Sequence, residues 1–320
     1  MQSALPLSAT LRRAVIDVGT NSVKLLVADV TGRSVVPLHE RSHQTRLGAG
    51  FYETHWLQRD AIERTASAVA QCADEAARWQ AQSIRVIATS AARDARNQSE
   101  LQSAIQQASG LAVEIISGEQ EADWVFAGVT SDPALASHPL LILDVGGGST
   151  EFILGDGPAQ IFRRSFPLGT VRLLERIRPS DPPLESEWSA CHAQLQQFLK
   201  LEIRPHLDEP RKQCAGHALQ LVTTGGTSSI LAAMQLELPA FDRVRIEALR
   251  LTRKDVWQRQ RHLWGLPLAQ RKTLAGLPPN RADVILMGVA ILAMVMEEFG
   301  FEAMRVSTRG LRFAAMMDLG

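Results

Sequence analysis

Cysteine is scarce. Cys72, Cys191 and Cys214 are the only three in 320 residues, far apart and without a Cys-x-x-Cys pair, which excludes a disulfide framework and a cysteine zinc site. The eight histidines show no metal-ligand spacing; His39, His43 and His55 are expected as polar surface residues. Surplus charge is also missing. Lys plus Arg number 34 and Asp plus Glu number 34, and this balance argues against a generic nucleic-acid binder. The longest strongly apolar run, Ile285 to Met296, falls short of the roughly 20 residues of a membrane span. Met1 to Arg13 has no charged and then apolar leader. Together these absences set the expectation of a cytoplasmic protein with neither a membrane nor a nucleic-acid partner. The composition present is 45% hydrophobic and 21% charged, enough to bury sizeable cores. At this length two domains of about 100–200 residues each are expected.

Strands are expected at Ala14–Asp17, Ser83–Ala88, Leu111–Ile116, Leu140–Leu143, Leu219–Thr223 and Arg305–Ser307, where short β-branched or aliphatic runs meet turn residues. Apolar spacing of three and four predicts helices at Thr54–Gln80, Ser99–Ser109, Glu119–Thr130, Leu184–Leu207, Arg253–Trp264 and Ala282–Phe299, with a short terminal helix. Met287, Met294 and Met296 read as the core of the last long helix. This alternation of strand and helix is that of an α/β protein.

The chain also repeats itself. Val15-Ile-Asp17-Val-Gly19-Thr-Asn-Ser22 aligns with Ile142-Leu-Asp144-Val-Gly146-Gly-Gly-Ser149, 127 residues further on (17 to 144). Each copy has an apolar strand ending in Asp, a glycine-bearing turn, a Ser, and an apolar return strand at Val23 or Phe152. Two copies one domain apart predict a duplicated α/β domain with its two turns facing a cleft.

Such turns suit phosphate. Glycines reach backbone conformations closed to other residues and have no Cβ to block approach, so successive N–H groups converge into an anion-binding nest. Gly19, Thr20, Asn21 and Ser22 form one candidate nest; Gly146, Gly147, Gly148 and Ser149 form the other. Asp17 and Asp144 would repel phosphate unless a divalent cation lay between, which points to Mg²⁺, with Mn²⁺ as the alternative. The bland alternative for each is a tight hairpin with a capping Asp. A third turn, Thr224-Gly225-Gly226-Thr227, runs from strand into helix, where helix N–H groups add a partial positive charge. From Arg243 to Arg281 ten basic residues stand against only Glu247 and Asp255. That stretch reads either as a patch steering a polyanion or as a solvated helical face.

The chain resembles the exopolyphosphatase/guanosine pentaphosphate phosphatase family, within the actin-like and sugar-kinase superfold. The resemblance rests on Asp17-Val-Gly-Thr-Asn-Ser22, Ala88-Thr-Ser-Ala-Ala-Arg93-Asp-Ala-Arg-Asn97, Ser117-Gly-Glu-Gln-Glu121-Ala and Asp144-Val-Gly-Gly-Gly-Ser-Thr-Glu151. Ser165-Phe-Pro-Leu-Gly169-Thr-Val-Arg172, Thr224-Gly-Gly-Thr227 and Arg281-Ala-Asp283 complete seven stretches, in order, over nearly the whole chain. One departure stands near the end, where Ser307-Thr-Arg309-Gly-Leu-Arg312 lacks the acid that often follows the strand serine.

The resemblance implies two duplicated actin-like, ribonuclease H-like α/β domains flanking a cleft, with limits at 10–127 plus about 300–320 and at 128–299. It implies a short form without the C-terminal helical extension, and a homodimer. The expected activity is Mg²⁺-dependent removal of the terminal phosphate of inorganic polyphosphate. Guanosine pentaphosphate is the alternative substrate; a kinase, ATPase or phosphate sensor of the same superfold is the reading from another class. Glu121, before Ala in Ser-Gly-x-x-Glu-Ala, is implied as the base that activates water, with Glu119 as a neighbouring competitor. Glu151 would ligate metal or orient that water, or stand as a solvated strand residue. Arg93 is expected to grip phosphate oxygens in a bidentate way. Arg172 and Arg281 are expected mainly as structural ion-pair partners.

Overall fold

The computed structural model describes residues 9–214 and 218–318. Met1 to Ser8 of the leader reading therefore lie outside the described residues. The chain forms two units, one running up to Ser117 and resuming at Leu311, the other Gly118–Gly310.

The first unit begins with β1 (Leu11–Val18), β2 (Ser22–Thr31) and β3 (Ser34–Gln44), an antiparallel meander. Helices α1 (Phe51–Thr54) and α2 (Arg59–Arg78) lead to β4 (Ser83–Ala88), α3 (Ser90–Asp94), α4 (Gln98–Ser109) and β5 (Val113–Ile115). The sheet order is β3-β2-β1-β4-β5, with β4 and β5 parallel to β1. Ala14, Val15, Ile16 and Val18 are all buried, as expected of a strand covered on both faces. Helix α2 lays Ile62, Ala66, Val69, Cys72 and Ala76 on the sheet at helical spacing.

The second unit begins with α5 (Gly118–Val129) and repeats the meander as β6 (Pro139–Val145), β7 (Thr150–Asp156) and β8 (Ala159–Phe166). Then come α6 (Thr170–Ile177), α7 (Glu185–Phe198), α8 (Arg204–Lys212), β9 (Gln220–Thr224) and α9 (Gly225–Gln235). The unit closes with α10 (Arg243–Ala248), β10 (Arg250–Thr252), α11 (Arg253–Trp264), α12 (Leu268–Arg271), α13 (Ile285–Glu298) and β11 (Ala303–Val306). Helix α14 (Leu311–Met317) returns to the first unit, where Arg13 Nη1 donates to Met316 O at 2.7 Å. The second sheet runs β10-β11-β9-β6-β7-β8. Read from β8 to β11 it has the strand order of the first sheet, so the duplication seen in the sequence is a duplication of topology.

Helix α5 packs on β7 and β8, and β11 pairs in parallel with β9 (Met304 with Leu221). Both therefore lie in the second unit, whereas the sequence reading set its limits at 127/128 and near 300. Twelve consecutive residues of α13, Ile285 to Met296, are buried. This is the apolar run noted above, and it serves as a core helix. Among the described residues no helix is long and apolar enough to cross a membrane. The three cysteines are free and buried, and burial pushes the Cys72 and Cys191 thiols up to about 12.

The helix expected from Leu184 to Leu207 is present but opens into a π turn at Leu199–Ile203. Its buried Leu195, Leu199, Ile203 and Leu207 lie four apart. A period of four drifts off an α-helical face of 3.6 per turn, and the wider turn restores the register.

Candidate active site

The second hairpin is held by its surroundings, carbonyl by carbonyl. Gly146 N–H closes the turn onto Ser149 O at 3.0 Å. The first amides of α6, normally left without partners at a helix start, donate to the turn: Thr170 N to Gly146 O at 3.0 Å, and Val171 N and Arg172 N to Gly147 O at 2.8 and 3.1 Å. Arg172 Nε takes the next carbonyl, Gly148 O, at 2.8 Å. In a planar trans peptide the N–H points opposite to the C=O. The Gly147, Gly148 and Ser149 amides are thus aimed away from α6, and among the described residues they donate to no acceptor of the chain. Gly169 permits this approach, because a Cβ there would strike the backbone of Gly147 and Gly148.

Strand register lines up the polar residues beside that nest. Thr224, Asp144, Glu151 and Ser165 sit directly across from one another on β9, β6, β7 and β8. Ser165 Oγ donates to Glu151 Oε1 at 2.7 Å. Opposed side chains in an antiparallel pair have Cβ atoms about 5 Å apart, and like charges so placed repel. A cation placed between Asp144 and Glu151 would offset that repulsion. Asp144 Oδ1 lies where a Cβ on Gly225 would go; Gly225, at φ +87°, brings the third turn against the carboxylate. Gly226 follows in the first turn of α9. Among the described residues no cluster of three or more His, Cys, Asp or Glu side chains is arranged around a metal. Two carboxylates with several retained waters suit Mg²⁺ without such a cluster.

Glu121 lies in the first turn of α5 and is buried, 8% exposed. It is engaged within the fold, as are Asp144 and Glu151. Glu151 is 1% exposed, so it is not the solvated strand residue that was one reading of it. Asp123, two residues after Glu121, ties α5 to β8 through Arg163 at 2.9 Å.

The first hairpin is built alike but charged differently. Gly19 N donates to Ser22 O at 3.1 Å, Gly48 N to Thr20 O at 2.8 Å and Arg46 N to Asn21 O at 3.1 Å. The position matching Glu151 is Lys24, directly across from Asp17. Burial pushes the Asp17 carboxyl up, while Lys24 and Arg312 pull it back. Thr20 Oγ1 accepts from Ala91 N at 3.3 Å. Asn21 Nδ2 and Ser90 Oγ are buried without a partner among the described residues. Such orphaned donors are costly, and a phosphate oxygen would satisfy them. Arg93 Nη1 donates to Ile116 O at 3.2 Å and Nε lies 3.8 Å from Asp94, so it also braces the end of β5. Asn97, in the same sequence stretch, clamps Leu57 by two backbone bonds of 2.9 and 3.1 Å.

Part of the basic stretch is engaged by the fold. Arg243 bonds Thr308, Arg253 pairs with Glu302 at 2.7 Å, Arg259 donates to Met234 O, and buried Arg271 donates to Ala282 O. These four arginines keep their charge but are tied to fixed partners. Beside Ser307–Arg312, Glu247 accepts from Thr308 N and lies 3.8 Å from Arg309. His39 is half-buried, stacked on Trp79 and 2.8 Å from Glu75, and not a plain surface residue.

Lys24, Ser90 and Ser165 carry no weight in the sequence reading, and Arg172 carries little. The signal for Lys24 was present: it stands 127 residues before Glu151, the offset of the repeat itself.

Comparison with known proteins gives a consistent picture. The model of the Ppx/GppA phosphatase family matches residues 26–319. Exopolyphosphatase 2 of Mycobacterium tuberculosis is 34% identical over 303 residues, covering 92% of this chain and 91% of its own. Among solved structures, the PPX-GPPA enzyme of Aquifex aeolicus is 28% identical with a TM-score of 0.75, covering 97% of this chain and 99% of that one. An exopolyphosphatase from Cytophaga hutchinsonii is 25% identical with a TM-score of 0.84, covering 96% and 98%.

Proposed function

Because the chain belongs to the Ppx/GppA phosphatase family and is a phosphoric anhydride hydrolase of actin-like fold, we propose that it is an exopolyphosphatase that releases the terminal phosphate of inorganic polyphosphate. The observation that carries this reading is the second hairpin, where three aimed amides stand beside two cross-strand carboxylates. The amides of Gly147, Gly148 and Ser149 hold oxygens of the terminal phosphoryl group. Asp144 and Glu151 are the residues that would hold Mg²⁺, or Mn²⁺ in its place, and such an ion would supply neutralisation of phosphate charge. Ser165 keeps Glu151 in one orientation.

Glu121 accepts a proton from water as the water oxygen bonds to the terminal phosphorus. The bond from phosphorus to the bridging oxygen breaks, and the shortened chain leaves as an oxyanion. Little covalent work falls to the protein, so positioning and electrostatics account for most of the rate, as in phosphoryl transfer generally. The first unit, taken by itself, has a nest of the same kind in Thr20, Asn21 and Ser22, with Arg93 as a further phosphate-binding candidate and Lys24 directly across from Asp17.

Orthophosphate release from long polyphosphate and from guanosine pentaphosphate, side by side and with and without Mg²⁺, tests the proposal. Mg²⁺-dependent release with a higher kcat/KM on polyphosphate supports it. Release from the pentaphosphate alone moves the assignment to that substrate, and release from neither contradicts both.

A further inference from the structure

Three peptides of the second hairpin are pinned, but not by the same means. The carbonyls of Gly146 and Gly147 accept from main-chain amides of α6, which any sequence able to start that helix would supply. The Gly148 carbonyl accepts from the Arg172 side chain, Nε to O at 2.8 Å. That carbonyl belongs to the same peptide plane as the Ser149 N–H, so whatever holds one aims the other. Gly148 itself offers little resistance to rotation, because glycine populates both signs of φ with similar ease.

The first hairpin shows the contrast. Its matching carbonyl, Asn21 O, accepts from the Arg46 main-chain amide at 3.1 Å. In that copy the peptide is fixed by backbone; in the second copy the fixing has passed to a replaceable side chain. The guanidinium Nε–H is well suited to this task, since it lies in a rigid plane and its hydrogen bond to a carbonyl is charge-assisted.

We propose that Arg172 is a positioning residue: by holding Gly148 O it aims the Ser149 amide at the phosphoryl group bound in the second hairpin. Without it the Gly148–Ser149 peptide rotates and the nest loses its third donor. This rests on the reading of that hairpin as a phosphate nest. Removal of one preorganised donor of this kind costs on the order of 100-fold in kcat. For a donor that is misaimed instead of deleted, about 10- to 100-fold is expected.

The test is steady-state orthophosphate release from polyphosphate by wild type, R172M, R172K and R172A, with the melting temperature of each. R172M keeps the apolar stem and is expected to fold, to lose about 10- to 100-fold in kcat, and to change KM much less. R172K keeps charge and bulk without the planar Nε–H and should stay below wild type in kcat. Added methylguanidinium should restore R172A toward wild type while leaving R172M unchanged, a response that a loss of stability alone would not give. R172M and R172K at wild-type kcat, or a folded R172A indifferent to methylguanidinium, would overturn the proposal. Inactivity of the wild type itself would instead strike the phosphate-nest reading on which the proposal stands.

Discussion

Residue by residue, the two copies of the hairpin have diverged in charge. Asp17 faces Lys24, while Asp144 faces Glu151. Asp17 stands across the strand pair from a cation; Asp144 stands across from a second carboxylate. The prediction is asymmetric. D144N should lose the Mg²⁺ response of orthophosphate release and fall at least about 100-fold in kcat, whereas D17N should keep the Mg²⁺ response. Metal titrations of both variants check this. Legibility at this scale was uneven. Asp17, Asp144 and both nests could be read because they repeat. Ser90 and Ser165 could not, because a hydroxyl's task depends on partners set by strand register, and register is not written in local sequence. A separate carboxylate shows the fold's pH dependence. Glu187 accepts from Leu184 N at 2.7 Å and Ser180 N at 2.9 Å, and these bonds hold it below the usual carboxylate range. A lowered pKa stabilises above the unfolded value and is lost as pH falls through the folded one. E187Q should therefore melt below wild type at pH 7, and the gap should close as pH drops below about 4.

At the scale of elements, α6 matters most for the site, and apolar spacing did not reveal it. Its eight residues, Thr170–Ile177, are too few to establish a period. Strands β3 and β8 were missed for a different reason. Both are edge strands at the end of the meander, and their charged residues (His39, Glu40 and Arg41; Arg163 and Arg164) mask the alternation while protecting the edge from pairing. Pro37 in β3 sits beside an irregularity in register next to Ala28, a place where an edge strand tolerates proline. The strands that form the interior of the sheets were legible because burial on both faces makes them plainly apolar. The close packing of α6 on the hairpin gives a sharp prediction. A methyl group at Gly169 meets backbone that has nowhere to go, so G169A should cost about 1–3 kcal/mol of stability and most of the phosphatase activity. The counterpart G48A meets the buried Thr20 side chain instead, and moving it would break the Thr20 bond to Ala91 N, so G48A should also lower stability by chemical denaturation.

Over the whole molecule, duplication explains both what could be read and what could not. The repeat of 127 residues announced two units of one strand order, and each unit has its own apolar core. The segments that cross between the halves of the chain were harder to assign. Helix α5 and strand β11 join the second unit through packing on β7 and β8 and through pairing with β9, and neither contact has a local sequence signature. The balanced total charge also hid how the charges are used, since arginines of the basic stretch are spent on carbonyls and acids of the fold. In the proposed function the second unit hydrolyses a phosphoric anhydride with Glu121 as the base. Orthophosphate release from long polyphosphate by wild type and by E121Q, with polyphosphate binding measured on the same samples, tests it most directly. The expected result is a fall of about 10²- to 10⁴-fold in kcat with binding retained; turnover by E121Q close to that of wild type would rule Glu121 out as the base.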